Sequence, residues 1–424
     1  MVIYLTGLSL SWIPAVQGWT AGVLSQSLTD YLGTTVRIGN VSPGLFNRLI
    51  IDDIQVFDRK DSLMLSAARV AAKIRILPLL EKQVHIDNAQ LIGADITLYK
   101  TDAQSRLNCQ FLIDKFSKNK KQDTGTDIRI DALLIRRTTL RYNVWDTTPT
   151  PHRFNPDHLS VSNIDVNAKV HFCMPDTMDI CLKRLSFTEA CGLTVRQLSF
   201  LANANGQKAV LSDFNLQTDN SDLRIPQLQA RYPEFPRKGD FKQWLQGTDI
   251  RGTLQADIRP SDFACLTDKV RHFTSHILIS GECAIQEGNL HLPDFSLSDA
   301  GQELQLRADV AMRGITDRPS VDVSNLQLRT GKNIQQFILG NIRGREAEPL
   351  PVLSRIGNAL VEGSLSYRHN LVEADLTTTT PQGSLLMQGK LTDKDKVNAL
   401  LSTDRFNLGQ LLHHPGMKAR DRSA

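Results

Sequence analysis

Aromatic residues make up only 6% of this 424-residue sequence, so aliphatic side chains carry most of its 41% hydrophobic content. Apolar content of that kind suits many thin strands better than one thick centre. Cysteine is scarce as well: Cys109, Cys173, Cys181, Cys191, Cys265 and Cys283 are too few and too scattered for a disulfide scaffold of this length. No pair has CxxC spacing, which removes the zinc knuckle and the thioredoxin-type redox site. Cys173, Cys181 and Cys191 stand close enough in sequence to pair in an oxidising compartment, with thiols as the alternative. Charge of one sign is also lacking. The 49 basic and 45 acidic residues are spread along the chain and leave a net charge of +4, so no domain-sized basic field exists to hold nucleic acid.

Motifs that advertise chemistry are missing too. There is no GxSxG elbow, Walker A loop, GxGxxG after a strand, HExxH or EF-hand loop. His272 and His276 sit four apart, as metal ligands on a helix do, but Phe273, Ile277 and Ile279 read as the entry to a strand. His413-His414 lies beside the polar C-terminus and reads as solvated. Carboxylates such as Asp52-Asp53, Asp58 and Asp61 fall at turns or on the wet faces of strands and read as solvated acids. No enzyme activity, catalytic residue, metal or cofactor is expected, and an unadvertised hydrolase would need acids brought together from distant parts of the chain.

The first 29 residues carry no charged side chain. Val2, Ile3, Tyr4, Leu5, Leu8, Leu10, Trp12 and Ile13 form an apolar run that stops at Pro14. Twelve helical residues rise about 18 Å, against roughly 30 Å of hydrocarbon in a bilayer. The segment is therefore expected to be part of a longer anchor. The alternatives are a dip into one interface, with Trp12 and Trp19 at headgroup level, and a buried core helix. From Pro14 to Leu32 the spacing of Val16, Trp19, Val23, Leu24, Leu28 and Leu32 predicts an amphipathic helix stopped by Gly33.

Beyond Gly33 the dominant period is two. Leu304, Leu306, Ala308 and Val310 alternate with Gln305, Arg307 and Asp309, as a strand with one dry and one wet face requires. The pattern recurs in Ile92, Ala94, Ile96 and Leu98, in Leu254, Ala256 and Ile258, in Val372, Ala374 and Leu376, and in Leu385, Met387, Gly389 and Leu391. Breakers such as Asp219-Asn220, Glu287-Gly288-Asn289 and Pro381-Gln382-Gly383 separate these runs, which predicts a succession of antiparallel hairpins. Helical spacing around Phe111, Leu112 and Phe116, around Ile334, Phe337 and Ile338, and over Leu350 to Ile356 predicts short plugs on a sheet. Lys115 to Asp127, Asp146 to Pro156 and Tyr232 to Asp240 read as loops. A loose x-G-x-L-x unit recurs, as in Arg251-Gly252-Thr253-Leu254 and Glu362-Gly363-Ser364-Leu365. It favours a quasi-repetitive sheet over a closed sandwich, a series of β-sandwich domains being the alternative.

Several segments carry a family resemblance. They are Ile13-Pro14-Ala15-Val16-Gln17, Leu32-Gly33-Thr34-Thr35-Val36-Arg37-Ile38, Phe46 to Asp58, Asp61 to Ala67 and Ile74-Arg75-Ile76-Leu77-Pro78-Leu79-Leu80. Their order resembles the N-terminal region of the AsmA-like superfamily, nearest to the TamB family, the inner-membrane component of the translocation and assembly module, in its Bacteroidetes-type form. Ile86 to Asp95, Asn108 to Phe116 and Phe406-Asn407-Leu408-Gly409-Gln410-Leu411-Leu412 agree less specifically. The resemblance implies a single-pass anchor in the inner membrane and a periplasmic body shaped as an apolar β-groove. It also implies a role in outer-membrane biogenesis through phospholipid transfer or outer-membrane protein assembly. Its implied partners are membrane phospholipids and an outer-membrane β-barrel of the BamA/TamA type. Members of that family begin with basic residues and a longer apolar helix and run on further at the C-terminus, so the chain is expected to be an N-terminal fragment.

The expected fold is thus mostly β: an elongated, curled antiparallel β-groove (β-taco) with an N-terminal membrane-associated helix and a few short helices. The expected segments are 1–32 (anchor and amphipathic helix), 33–117 (first β unit), 118–240 (continuation with polar loops), 241–412 (repetitive groove) and 413–424 (polar tail). Expected groove-lining residues are Ile92, Ile96, Leu98, Leu254, Ala256, Ile258, Leu304, Leu306, Ala308, Val310, Val372 and Leu376, and expected anchor residues are Val2, Ile3, Leu5, Leu8, Leu10, Trp12 and Ile13. A structural or adhesive β-repeat protein with a filled core is the competing expectation.

Overall fold

The computed structural model describes residues 14–44, 48–74, 84–118, 127–173, 177–233, 241–315, 319–343, 357–369, 371–392 and 396–404. The predicted anchor residues Val2 to Ile13, the helical spacing over Leu350 to Ile356, His413-His414 and the Phe406 to Leu412 unit lie outside them. The chain divides into two compact units, Met1–Asn205 with Leu216–Asp219, and Gly206–Asn215 with Asn220–Ala424.

The first unit opens with helix α1 (Pro14–Leu32), ended by Gly33, whose φ is +71° and whose N–H donates to the Thr29 carbonyl at 2.8 Å. Its inward face differs from the predicted stripe. Trp19 is 70% exposed and Val23 49%, whereas Ala21 is buried and Leu28 and Leu32 pack on the sheet. The serine and threonine hydroxyls decide this: Ser25 Oγ donates to the Val36 carbonyl at 2.5 Å, and Thr29 Oγ1 accepts from the Val36 N–H at 3.1 Å. They dock α1 on the first strand through a partly polar face that an apolar count does not see.

Strands β1 (Val36–Gly44), β2 (Arg48–Phe57), β3 (Leu63–Ile74) and β4 (Val84–Lys100) pair antiparallel in sequence order. The next step departs from the expected hairpins. β4 and β5 (Asp127–Val144) pair in parallel, with helix α2 (Gln110–Lys118) on the connection between them. A parallel neighbour requires a crossover rather than a tight turn, so Lys115 to Lys118 are helical where a loop was predicted. Strands β6 (His158–Cys173), β7 (Thr177–Glu189) and β8 (Thr194–Asn205) return to antiparallel order. β9 (Lys208–Gln217) has its residues divided between the units.

The second unit is a longer meander. Strands β10 (Asp222–Arg231), β11 (Asp249–Ile258), β12 (Ile277–Gln286), β13 (Asn289–Asp299) and β14 (Leu304–Arg313) are followed by β15 (Ser320–Thr330), β16 (Ala359–Arg368), β17 (Leu371–Thr380), β18 (Gly383–Thr392) and β19 (Lys396–Asp404). Each pairs antiparallel with the next. Helix α3 (Phe241–Gln246) precedes β11, and helix α4 (Ile334–Ile338) continues into a wider helical turn over Leu339–Arg343. The chain is therefore mostly β, an open and largely antiparallel arrangement with few short helices.

Two recurring devices shape these sheets. Tight turns are closed by sunken carboxylates: Asp58 accepts the N–H groups of Lys60 and Ser62, Glu189 those of Cys191 and Ser160, and Asp299 those of Gly301 and Leu304. Asp58 is only 2% exposed, and Glu189 and Asp299 are buried too. The reading of Asp58 as a solvated turn acid is thereby corrected. It does stand at a turn, but the turn folds over it because unpaired N–H groups need an acceptor.

The second device is the mid-strand bulge. Asp53, Arg137, Asn163, Asp294 and Asn325 lie inside strands with φ between +50° and +55°, and Gly363 has φ +142°. Register shifts accompany several of them, between Ile135 and Thr138, Leu292 and Phe295, and Val323 and Leu326. The recurrent glycine of the x-G-x-L unit follows from these bulges. Gly252 lies opposite Leu228, just past the shift in β10, and a Cβ there would sit 2.7 Å from Leu228 Cδ1 and 2.8 Å from the Gln227 carbonyl. Gly363 pairs with Leu326 at the shift in β15, where its positive φ favours glycine.

Candidate functional site: a half-exposed apolar sheet face

The regular strand β14 sets the face. It contains no positive-φ residue, so Leu304, Leu306, Ala308, Val310 and Met312 all point to one side. From there the registers carry apolar rungs across the second unit. One runs Ala256, Ile279, Leu297, Leu306, Leu328, Val361. A second runs Leu292, Val310, Val323, Leu365, Ala374, then Gly389 and Ala399. A third runs Leu290, Met312, Val321, Tyr367, Val372, Leu391, and a shorter one Gly363, Leu376, Met387, Leu401.

The side chains of this face are mostly half-buried. Ala256 and Ala308 are buried, but Leu254, Ile258, Leu304, Leu306, Val310, Val372 and Leu376 are not, and Leu401 is exposed. In a sandwich the opposing sheet would take such residues out of water. The other face is polar and tied by charge: Asp322, Ser366, Glu373 and Lys390 share a rung. There Arg368 stands 2.8 Å and Arg313 3.4 Å from Asp322, and Lys390 2.5 Å from Glu373.

Among the described residues, helices cover the dry face only locally, as the predicted plugs. In the second unit Ile334 and Phe337 of α4 pack with Ile277, Ile279, Leu297 and Leu304, and Phe273 meets Phe337 edge to face at 5.8 Å. Asn341 fastens this plug by accepting the N–H groups of Thr274 and Ser275, each at 3.0 Å. In the first unit Leu28 and Leu32 of α1 and Leu112 of α2 join Val36, Val56 and Met64.

The expected lining residues therefore fall into three settings. Leu254, Ala256, Ile258, Leu306, Ala308, Val310, Val372 and Leu376 share the open face, and Leu304 lies under the α4 plug. Leu98 packs in the helix-covered core of the first unit, and Ile96 shares a rung with Leu65 of that core. Ile92 shares its rung with Arg69, whose Nε is 2.7 Å from Asp52 Oδ1. Among the histidines, His276 Nδ1 lies 2.7 Å from Asp257 Oδ1, directly before β12 begins. Cys181 and Cys191 are not joined in a disulfide. Sequence reasoning missed Leu328 and Val323 on the open face and Ile279 and Leu297 beneath the α4 plug, which sit in equally alternating runs and were legible by the same rule.

No helix among the described residues is long and apolar enough to cross a membrane. Fold and face together define a class: an open-faced β-sheet protein with bulged strands and local helical plugs. No protein-family model, curated protein or solved structure matches the chain.

Proposed function

We propose that the chain is a non-enzymatic, AsmA-like protein of outer-membrane biogenesis, of the TamB type. In this reading its N-terminus is anchored in the inner membrane and its body stands in the periplasm as a β-groove that carries phospholipid acyl chains or assists outer-membrane protein assembly. The observation that carries the reading is the half-exposed apolar face of β11 to β18. Leaving so many aliphatic side chains partly wet is costly, and an acyl chain laid along them recovers about 0.8 kcal/mol per buried CH₂. Bulges support the curling, because each bends its strand and increases its twist, so that bulges on neighbouring strands crease a sheet toward a trough. Trp19 and Val23, exposed on α1, supply an apolar surface next to the predicted anchor. Partners in this reading are phospholipids and a BamA/TamA-type barrel.

Photo-crosslinking tests it. A benzophenone amino acid at Leu306 or Val310, on the open face, is expected to capture phospholipid, identified by mass spectrometry of the extracted adduct. The same probe at Arg307 or Gln305, on the opposite face, is expected to capture none. Absence of lipid at Leu306 and Val310 points instead to the filled β-repeat scaffold.

A further inference from the structure

The first unit holds an open cleft of about 560 Å³ between the end of α1, the β2–β3 turn and the approach to α2. Arg59, Lys60, Arg106 and Lys115 line it, over an apolar floor that includes Leu32, Leu107 and Phe111. Three of these cations are placed by aromatic rings. The Arg59 guanidinium lies 4.9 Å from the Phe111 ring centre, Lys60 Nζ 5.9 Å from that of Tyr99, and Lys115 Nζ 4.5 Å from that of Tyr31. Among the described residues none of the three forms an ion pair. A ring positions a cation while leaving its N–H donors free for an anion.

Of the two carboxylates in the wall, Asp58 is held by its own turn and by Tyr99, and Asp114 faces only Arg106 among the cleft's cations. Asp58 accepts the Tyr99 hydroxyl at 2.6 Å and the N–H groups of Lys60 and Ser62 at 2.7 and 2.9 Å. Asp114 accepts from Gln110 Nε2 at 2.9 Å and stands 3.6 Å from Arg106. Four cations against two carboxylates leave the lining at +2. Like charges gathered around one cleft repel one another, and a bound anion removes that cost.

We propose that this cleft binds a phosphate-bearing anion of headgroup size. Arg59 and Arg106 offer planar forks matched to phosphate oxygens, while Lys60 and Lys115 add point charges. Leu32, Leu107 and Phe111 contact the organic part. The volume lies within the roughly 300–1,000 Å³ range of small-molecule sites and exceeds what an inorganic ion needs. A phospholipid headgroup and a free phosphate ester share this chemistry. The inference does not depend on the apolar face of the second unit carrying lipid.

Isothermal titration calorimetry of the full chain in a non-ionic detergent tests it, with dihexanoyl phosphatidylglycerol, glycerol 3-phosphate and inorganic phosphate as probes. Saturable binding is expected, weakening as salt is raised and weakening about tenfold or more in the Arg59→Gln/Lys115→Gln double variant. Arg196→Gln, on β8 and outside the cleft's lining, is expected to bind as the parent does. Tighter binding of the short-chain lipid than of glycerol 3-phosphate assigns the site to a headgroup, and equal binding assigns it to a soluble phosphate ester. No saturable heat from any probe, or equal affinity in parent and double variant, overturns the proposal. Should circular dichroism show the double variant unfolded, Arg106→Gln carries the same test, since that side chain is 83% exposed.

Discussion

The Asp309 carboxylate accepts the backbone N–H of Asp294 at 2.8 Å, and its other oxygen accepts the Asn325 side-chain amide at 2.5 Å. Asp294 and Asn325 are the positive-φ residues of β13 and β15, so one side chain on the regular strand between them ties both bulges. Asp165 does the same for Arg137, accepting its N–H at 2.9 Å. The Asp294 N–H first, and then the Asn325 amide, hold the Asp309 carboxyl below the ordinary carboxylate range. A depressed folded value means that its contribution is complete above the unfolded pKa of about 3.9 and is lost as pH falls through the folded value. Asp309→Ala is expected to lower the melting temperature at pH 7, with the gap to the parent closing in acid. Thermal unfolding followed from about pH 2 to pH 7 checks it; a gap that does not narrow in acid assigns Asp309 no ionic role.

Asp58 is a sterner case, because it is buried. Burial raises its pKa, but the Tyr99 hydroxyl, the N–H groups of Ser62 and Lys60 and the Asn108 side chain together outweigh that and leave it lowered. Asp58→Ala strands those donors and should cost about 2–3 kcal/mol, against roughly 1 kcal/mol for Tyr99→Phe. Asp58→Asn should lose stability in full above about pH 4, with the loss shrinking as pH falls further through the lowered folded value, by the same sign as Asp309. Urea unfolding at pH 7 and at about pH 2 compares them.

Gly363 is the backbone position least open to change. A Cβ there would overlap the Asp375 carbonyl oxygen, in a conformation of φ +142°. Gly363→Ala is expected to cost about 2–5 kcal/mol or to prevent folding. Gly206→Ala, which meets nothing within 4 Å, should stay within about 0.5 kcal/mol of the parent. Comparable losses in the two variants would remove the special role given to the bulge.

Plug and open face should differ in their response to truncation. Phe337 is buried against Phe273 and Ile277, so Phe337→Ala should cost about 3–5 kcal/mol. Leu306 is only half-buried, so Leu306→Ala should cost less than about 2 kcal/mol while lowering lipid yield after crosslinking from Val310. A loss at Leu306 as large as that at Phe337 would mean that the face is a filled core.

The alternation of Leu304, Leu306, Ala308 and Val310, the stop at Gly33 and the plug residues Ile334 and Phe337 were legible in the sequence. Each depends on the local period of one strand or helix, and neighbours along the chain reveal that period. The bulges were not read, because each adds a single residue and steps the two-residue spacing once, as from Leu292 to Phe295 and from Val323 to Leu326, which reads along the chain as the end of one run and the start of another. Asn163, Asp294 and Asn325 were the available signal, since such residues inside a strand accept positive φ.

By itself, then, the sequence determined strands with one dry face, local helical plugs and the absence of the familiar catalytic motifs. Tertiary structure alone decided that β4 and β5 run parallel and that Asp58 is buried beneath its turn. It also brought Arg59, Lys60, Arg106 and Lys115 around one cleft, and set the apolar rungs of β11 to β18 half in water. The physical reason is range. Periodicity and turn chemistry act over a few residues, whereas register, crossover and the convergence of charges depend on contacts between segments tens of residues apart.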